Sequence, residues 1–412
     1  MSTDYDIAVV GGGLAGASLA CALADSGLRI ALVEAVAFDT PANDNLAART
    51  TALAWGTRQM FDELGLWSSM ADDAAAIERL HVSQAGHFGR VMVEAAEYGL
   101  PALGYVLPNV SLIAALRDRL AELDRVDVIA PATFRGLSYP GDDSSVELLL
   151  DEAGAERRIR TRLVVGADGT RSAVRDALAI GARIDDYEQS AIVTKVRTER
   201  AAAGCAYERF TPTGPVALLP FHHDICAAVW TVPNTDADRL VGLDDTSFTQ
   251  ELQTLFGHRL GRLELAGPRG AYPLTRVLCD RAVERRAVLI GNAGHALHPA
   301  AAQGFNLAIR DALGLAAILR EHQALTPNTF DPGEPDMLTA WAESRRPDQH
   351  RVANFTDRIV RLFSNRIPGL GHARGAGLFG LSLAPGLRSE IARRSMGMAL
   401  LSDAAGRGQE QS

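Results

Sequence analysis

Lysine is almost missing from this 412-residue chain: Lys195 stands alone against forty arginines, a bias of genome composition that says nothing about function. Cysteine is nearly as scarce. Cys21, Cys205, Cys226 and Cys279 lie far apart with no CxxC, which excludes a disulfide framework or a zinc ribbon and fits a reducing compartment. No apolar run approaches the ~18 residues that a membrane-spanning helix needs. The longest near the end, residues 376–387, is short and broken by Gly and Pro. Net positive charge is also lacking. At −9 the chain has no bulk charge for neutralising phosphates, so nucleic acid is not an expected partner. Core-like sequence begins at Tyr5, too early for a secretory leader to precede it. The expectation is a cytoplasmic protein, peripheral to the inner membrane at most.

One stretch runs against the acidic average. Residues 345–407 hold eleven arginines and four acidic residues, net +7, so the rest of the chain carries −16. Such a stretch suits an anionic lipid surface or an acidic partner. A set of solvated helix faces is the simpler reading.

What is present is ordinary globular composition, 47% hydrophobic and 22% charged, at a length sufficient for two domain-sized units. Residues 5–10 read as a buried strand, 15–26 as a helix of small residues and 29–34 as a second strand, together a β-α-β unit. Helical patterns follow at 57–64 and 112–123. Strand-like runs occupy 127–129, 134–139, 146–151 and 158–165. Residues 191–232, rich in β-branched and aromatic side chains with turn punctuation, predict an antiparallel sheet covering a substrate. A strand at 287–291 and a helix at 304–320 come next, then a loop at 323–336 and long helical pattern from Met337. The pair His222-His223 reads as a hairpin tip. Trp230, Phe221 and Tyr272 read equally as pocket lining or sheet core, and Arg345-Arg346-Pro347 as the exposed start of a helix.

Three blocks carry chemistry. The first is Gly11-Gly-Gly13-Leu-Ala-Gly16 between strand and helix, with Glu34 closing the second strand. Its glycines permit the tight turn, the approach of a pyrophosphate and close helix–strand packing, while Glu34 is placed to accept a ribose diol. The helix N-terminus offers free N–H groups and partial positive charge to the phosphates. The second block, residues 164–172, runs a strand into Asp168-Gly169-Thr-Arg171-Ser172. It resembles the second FAD fingerprint of flavoprotein hydroxylases, a turn near both the pyrophosphate and the entering nicotinamide. The third, residues 288–311, contains Asn292, His295, His298, Pro299, Gln303, Gly304, Asn306 and Asp311. It resembles the flavin fingerprint that contacts the ribityl chain and sets a helix N-terminus under the ring, where its partial charge stabilises reduced flavin. Pro299, Gly304 and Asn306 are the ring-proximal candidates; no side chain is singled out as catalytic. His295-x-x-His298 lacks the i, i+4 spacing and third ligand of a helical zinc site, so no metal is expected.

Beyond these shared blocks the chain resembles the ubiquinone-biosynthesis hydroxylase family, and within it the 2-polyprenyl-6-methoxyphenol hydroxylases. The likeness spans residue 5 to roughly 400. It is carried by His298-Pro299 through Asn306, Tyr187-Glu188-Gln189, Glu208-Arg209-Phe210-Thr211, Gly214-Pro215 with Leu219-Pro220, Phe256-Gly257 with Arg259-Leu260-Gly261, and Ala271-Tyr272-Pro273-Leu274. It implies an α/β fold: a Rossmann-type FAD-binding domain (1–180, with inserted strands, and 281–325) interleaved with a β-sheet substrate domain (181–280), and a C-terminal helical region (326–412).

The resemblance also implies that Arg49 and Asn109 touch FAD beside Gly11, Gly13, Gly16, Glu34, Asp168, Gly169, Asn292, Gly304 and Asn306. Two departures stand out: Asn292 where most flavin hydroxylases carry Asp, and Ala302 where Gly is usual. The implied reaction is NAD(P)H reduction of FAD, formation of a flavin hydroperoxide with O₂, and hydroxylation of a polyprenyl phenol, within a ubiquinone-biosynthesis complex or at the membrane surface. A single GxGxxG leaves the nicotinamide a transient visitor. Hydroxylation of a soluble aromatic acid, or a flavin-bound scaffold without turnover, are the alternatives.

Overall fold

The computed structural model describes residues 3–38, 40, 49–141, 144–299, 302–363, 374–377 and 380. Strand β1 (Tyr5–Val10), the helix Leu14–Ala22 and β2 (Ile30–Val33) make the expected first unit. Both strands are buried along nearly their whole length, as parallel strands covered on both faces must be. The helix is buried from Gly16 to Ala22, because small side chains let it lie close on the sheet.

Next come β3 (Thr50–Ala54), the helix Trp55–Glu63, β4 (Ala75–Ile77), β5 (Arg79–Gln84), β6 (Arg90–Glu94), β7 (Gly104–Pro108) and the helix Asn109–Ala121. Then follow β8 (Val126–Ile129), β9 (Thr133–Ser138), β10 (Val146–Glu152), β11 (Ala155–Gly166) and a short helix, Ala173–Ala177. The central sheet runs β18-β19-β11-β1-β2-β8, where β18 is Val283–Glu284 and β19 is Ala287–Leu289. Strands β19, β11, β1, β2 and β8 are parallel, and β10 and β9 extend β11 as an antiparallel meander.

The second sheet is built from β12 (Ala182–Thr198), β13 (Cys205–Thr211), β14 (Gly214–His222), β15 (Ile225–Pro233), β16 (Leu263–Leu265) and β17 (Gly270–Cys279), with β20 (His295–Ala296) at one edge. At the other edge β5 and β6 join through β13. This sheet therefore recruits strands from ahead of residue 180. Its outer face carries Ile192, Val216, Leu218 and Trp230 against the helices Asn234–Val241 and Asp245–Phe256. Trp230 lies 5.6 Å from Phe248, so it belongs to the core and lines no pocket. The inner face looks toward a small third sheet of β3, β7 and β4, where β14 packs on β4 and β7.

The helices Gly304–Leu325 and Pro335–Phe363 close the molecule against the first helix and the parallel sheet, sharing a core with Leu315, Leu319, Met337, Leu338 and Trp341. The loop expected at 323–336 narrows to the nine residues 326–334 between them. Arg345-Arg346-Pro347 lies inside the last helix rather than at its start, and Arg345 is buried. The exposed reading of that residue was wrong because Met337, Leu338, Trp341 and Arg345 recur at helical spacing, which turns Arg345 inward. His222 and His223 do form an exposed hairpin tip, with His223 in the left-handed region.

Candidate active site

The three blocks converge at the carboxyl ends of β1, β11 and β19, the crevice where open parallel sheets bind ligands. At Gly11 (φ +108°) a Cβ would collide with the backbone of Ala167 and Asp168, so the first and second blocks touch there. A Cβ at Gly16 would collide with the Gly11 carbonyl. At Gly291 (φ +58°) it would press on Ala15 and Ala308, which sets the third block against the first helix.

Three other glycines behave oppositely. Around Gly13, Gly169 and Gly304 a Cβ would meet nothing within 4 Å. Gly13 and Gly304 open the N-termini of two helices, and Gly169 adopts φ +88°. Bare backbone facing open space at all three blocks is what a dinucleotide pyrophosphate and a flavin ring require, and the residues present fit FAD. Glu34 braces this cradle, accepting from Gly12 N at 2.7 Å and from Val36 N at 3.0 Å. An ionised carboxylate keeps lone pairs for further donors. Asp168 accepts from Ser172 Oγ at 2.5 Å and from Val174 N at 3.1 Å, so it also organises the helix that follows its turn.

Asn292 is exposed at the end of β19. Asn109 is buried and accepts from Thr51 Oγ1 at 2.7 Å, while its backbone N–H donates to the Arg49 carbonyl at 3.0 Å. The Arg49 guanidinium lies 4.8 Å over the Tyr272 ring, linking the segment before β3 to the inner face of the second sheet. Asn306 is fully engaged. Its amide nitrogen donates to the Ala52 and Ala302 carbonyls at 3.0 and 2.7 Å, and its oxygen accepts from Ala54 N at 2.8 Å. It pins β3 to the start of the Gly304–Leu325 helix. Ala302 takes φ +48°, a left-handed conformation that favours glycine, and its N–H donates to Pro299 O. The substituted loop thus keeps a glycine-like path at some cost in strain.

The two histidines of the third block serve separate partners. His295 Nε2 meets Asp311 at 2.5 Å, and Asp311 also accepts from Arg345 Nε at 2.6 Å and from Gln349 at 2.9 Å. Burial alone would raise the Asp311 carboxyl, but His295 and Arg345 outweigh it and hold it below the usual range. His298 packs edge-on against Tyr187 at 4.9 Å, and Tyr187 donates to Asp357 at 3.4 Å. Burial pushes His298 down to about 4, so it is neutral at pH 7.

Sequence reasoning missed two groups. Arg345 was legible from helical spacing. Glu208 was legible from alternation, because Phe210 and Glu208 share a strand face.

A profile of the FAD binding domain family matches residues 4–355. The chain is 36% identical over 392 residues to ubiquinone hydroxylase UbiL of Rhodospirillum rubrum, covering 95% of this chain and 89% of that one. It is 29% identical over 398 residues to the 3-demethoxyubiquinol 3-hydroxylase of Escherichia coli strain K12, covering 95% and 98%. In fold it is similar to p-nitrophenol 4-monooxygenase PnpA of Pseudomonas putida DLL-E4, with TM-score 0.76 at 16% identity over 96% of this chain and 99% of that one. The chain belongs to the FAD binding domain family and, within it, to the FAD-dependent ubiquinone-biosynthesis hydroxylases, which are aromatic monooxygenases.

Proposed function

We propose that this protein hydroxylates the ring of a polyprenylated phenol in ubiquinone biosynthesis, using FAD, NAD(P)H and O₂. The observation that carries the reading is likeness along nearly the whole chain to a ubiquinone hydroxylase, in a molecule whose inner sheet face is lined by Val82, Val193, Ala217, Leu219 and Val229. These side chains are only partly buried, whereas Val216, Leu218 and Trp230 on the outer face are fully so. A half-open apolar face suits a prenylated ring better than an aromatic acid. The two relatives named above are both hydroxylases by name and are different enzymes, so the methoxyphenol step is one member of that class.

When bound, FAD supplies the redox chemistry, taking hydride from NAD(P)H and activating O₂. The chain's own residues position and shield. In this assignment Gly11, Gly13, Gly16 and Glu34 hold the adenosine end, Asp168-Gly169 the pyrophosphate flank, and Asn292, Arg49 and Asn109 the ribityl side. Pro299, Gly304 and Asn306 form the wall beside the ring, where the helix N-terminus favours negative charge.

A polyprenyl chain resides in the bilayer, since each CH₂ moved to water costs about 0.8 kcal/mol. Among the described residues no helix is long and apolar enough to cross a membrane. Surface contact through the last helix is therefore part of this proposal. Arg346, Arg351 and Arg358 are exposed there, while Arg361 pairs with Asp357 at 2.9 Å. Arg366, Leu378 and Phe379, in the same basic stretch, lie outside the described residues. The test is quinone-intermediate profiling in cells lacking the protein. Accumulation of a prenylphenol short of one hydroxyl supports the reading, and an unaltered quinone pool refutes it.

A further inference from the structure

The inner face of the second sheet holds one ionisable side chain whose purpose the fold does not explain. In β13, Tyr207 packs on Phe256 and Arg209 donates to the Leu255 carbonyl, so both point outward to the covering helix. Alternation turns Glu208 the other way. Phe210, on the same face, packs with Leu103 just ahead of β7, which fixes that face as the one toward the first domain. Glu208 stands between Val82 on β5 and Ala217 on β14.

It is only partly buried, on the strand face that packs toward β7, as expected of a group in the wall of a cleft. Among the described residues it has no hydrogen bond and no ion pair. Of the nearby titratable groups, Tyr105 on β7 packs edge-on against Trp67 and tilted beside Trp55, and Lys195, three strands away on the same face, sits over Phe221. Burial raises the Glu208 carboxyl to about 7. A lone buried carboxylate in an apolar wall is costly to keep unless something binds to it.

We infer that Glu208 is a catalytic residue, the base that accepts the proton of the substrate's ring hydroxyl. This rests on the phenol-hydroxylase reading above. The phenol O–H bond breaks, its electron pair stays on the ring oxygen, and the proton passes to a Glu208 carboxylate oxygen. The resulting phenolate is richer in electrons at the ring carbons, which is the state an electrophilic oxygen attacks. The proton leaves Glu208 for solvent once product departs, so no further oxidant or reductant enters this step. A base near the working pH balances the correct protonation state against proton affinity. A negative wall group also disfavours an aromatic acid as substrate.

The experiment uses the FAD-loaded protein with a short-chain prenylphenol and the near-isosteric variant Glu208→Gln. Positioned bases contribute roughly 10²–10⁴-fold, so kcat should fall at least about a hundredfold with KM changed little, and the limb of the kcat–pH profile near neutrality should vanish. A solvent deuterium isotope effect on hydroxylation, reporting proton transfer from the phenol, should be present in the wild type and lost in the variant. Glu208→Asp should recover part of kcat, and a more acidic fluorinated phenol should narrow the gap. An active wild type whose Glu208→Gln variant keeps both the pH limb and the isotope effect overturns this inference alone. A wild type that leaves the prenylphenol untouched overturns the substrate reading and this inference with it.

Discussion

Arg345 and Asp311 form a buried ion pair at 2.6 Å between the last two helices, and neither side chain is more than 7% exposed. Asp311 simultaneously faces His295 on β20, just ahead of Pro299 and the Gly304–Leu325 helix. The pair thus ties the closing helix to the flavin loop. Breaking a buried pair leaves an uncompensated charge, typically at 3–5 kcal/mol. Arg345→Ala should lose about that much in urea denaturation. Arg345→Lys should recover little, because one guanidinium serves both Asp311 and Asp348.

The glycines separate binding from folding. Gly13→Ala and Gly304→Leu meet open space, so the apoprotein should melt close to wild type while FAD affinity drops at least about tenfold for the leucine. Gly16→Ala collides with backbone and should lower stability even without FAD. Differential scanning fluorimetry of apoprotein and a fluorescence titration of FAD distinguish the two classes. Gly16→Ala that melts like wild type would contradict the packing described here.

Much of this architecture was legible beforehand. The β-α-β unit, the Asp168 turn and the Gly304 helix each combine a buried run with a glycine at a fixed offset, a signal that survives without tertiary context. The short strands β3 to β7 were not legible as members of two further sheets. Their identity depends on partners far along the chain: β5 pairs with β13, 126 residues on at Arg79–Cys205. Asn306 was expected to lie beside the ring, but its role as a staple to Ala52 and Ala54 depends on β3, which the sequence did not announce. Arg345 and Glu208 were hidden because charge suggests exposure, and only their periodicity says otherwise.

Stability should depend on pH from both sides. His81 and His298 are pushed down to about 4 by burial, with Arg259 adding to the effect at His81. The unfolded chain protonates them near pH 6.5, so stability is intact above that and falls as pH drops from about 6.5 to 4. Glu208 acts oppositely. Its folded value near 7 exceeds the unfolded value of about 4.3, so stability is lost as pH rises between them. Glu208→Gln should therefore be more stable than wild type at pH 8, by about 4 kcal/mol at most, with no gain at pH 4. Equal denaturation midpoints at pH 8 would contradict the burial of that carboxylate.

The surface of the last helix predicts salt-sensitive docking. Basic residues near an anionic bilayer contribute roughly 1 kcal/mol each. Replacing Arg346, Arg351 and Arg358 together by Glu should lower co-sedimentation with phosphatidylserine vesicles at least about tenfold at low salt, with FAD content unchanged. Wild-type protein that stays in the supernatant at low salt would remove the membrane contact.

The most direct test of the account is isotope tracing with purified FAD-loaded protein, NAD(P)H, ¹⁸O₂ and a short-chain prenylphenol. The account predicts a ring-hydroxylated product carrying one ¹⁸O atom, formed in step with NAD(P)H oxidation. Product oxygen derived from water, or NAD(P)H consumed without any hydroxylated ring, would contradict it.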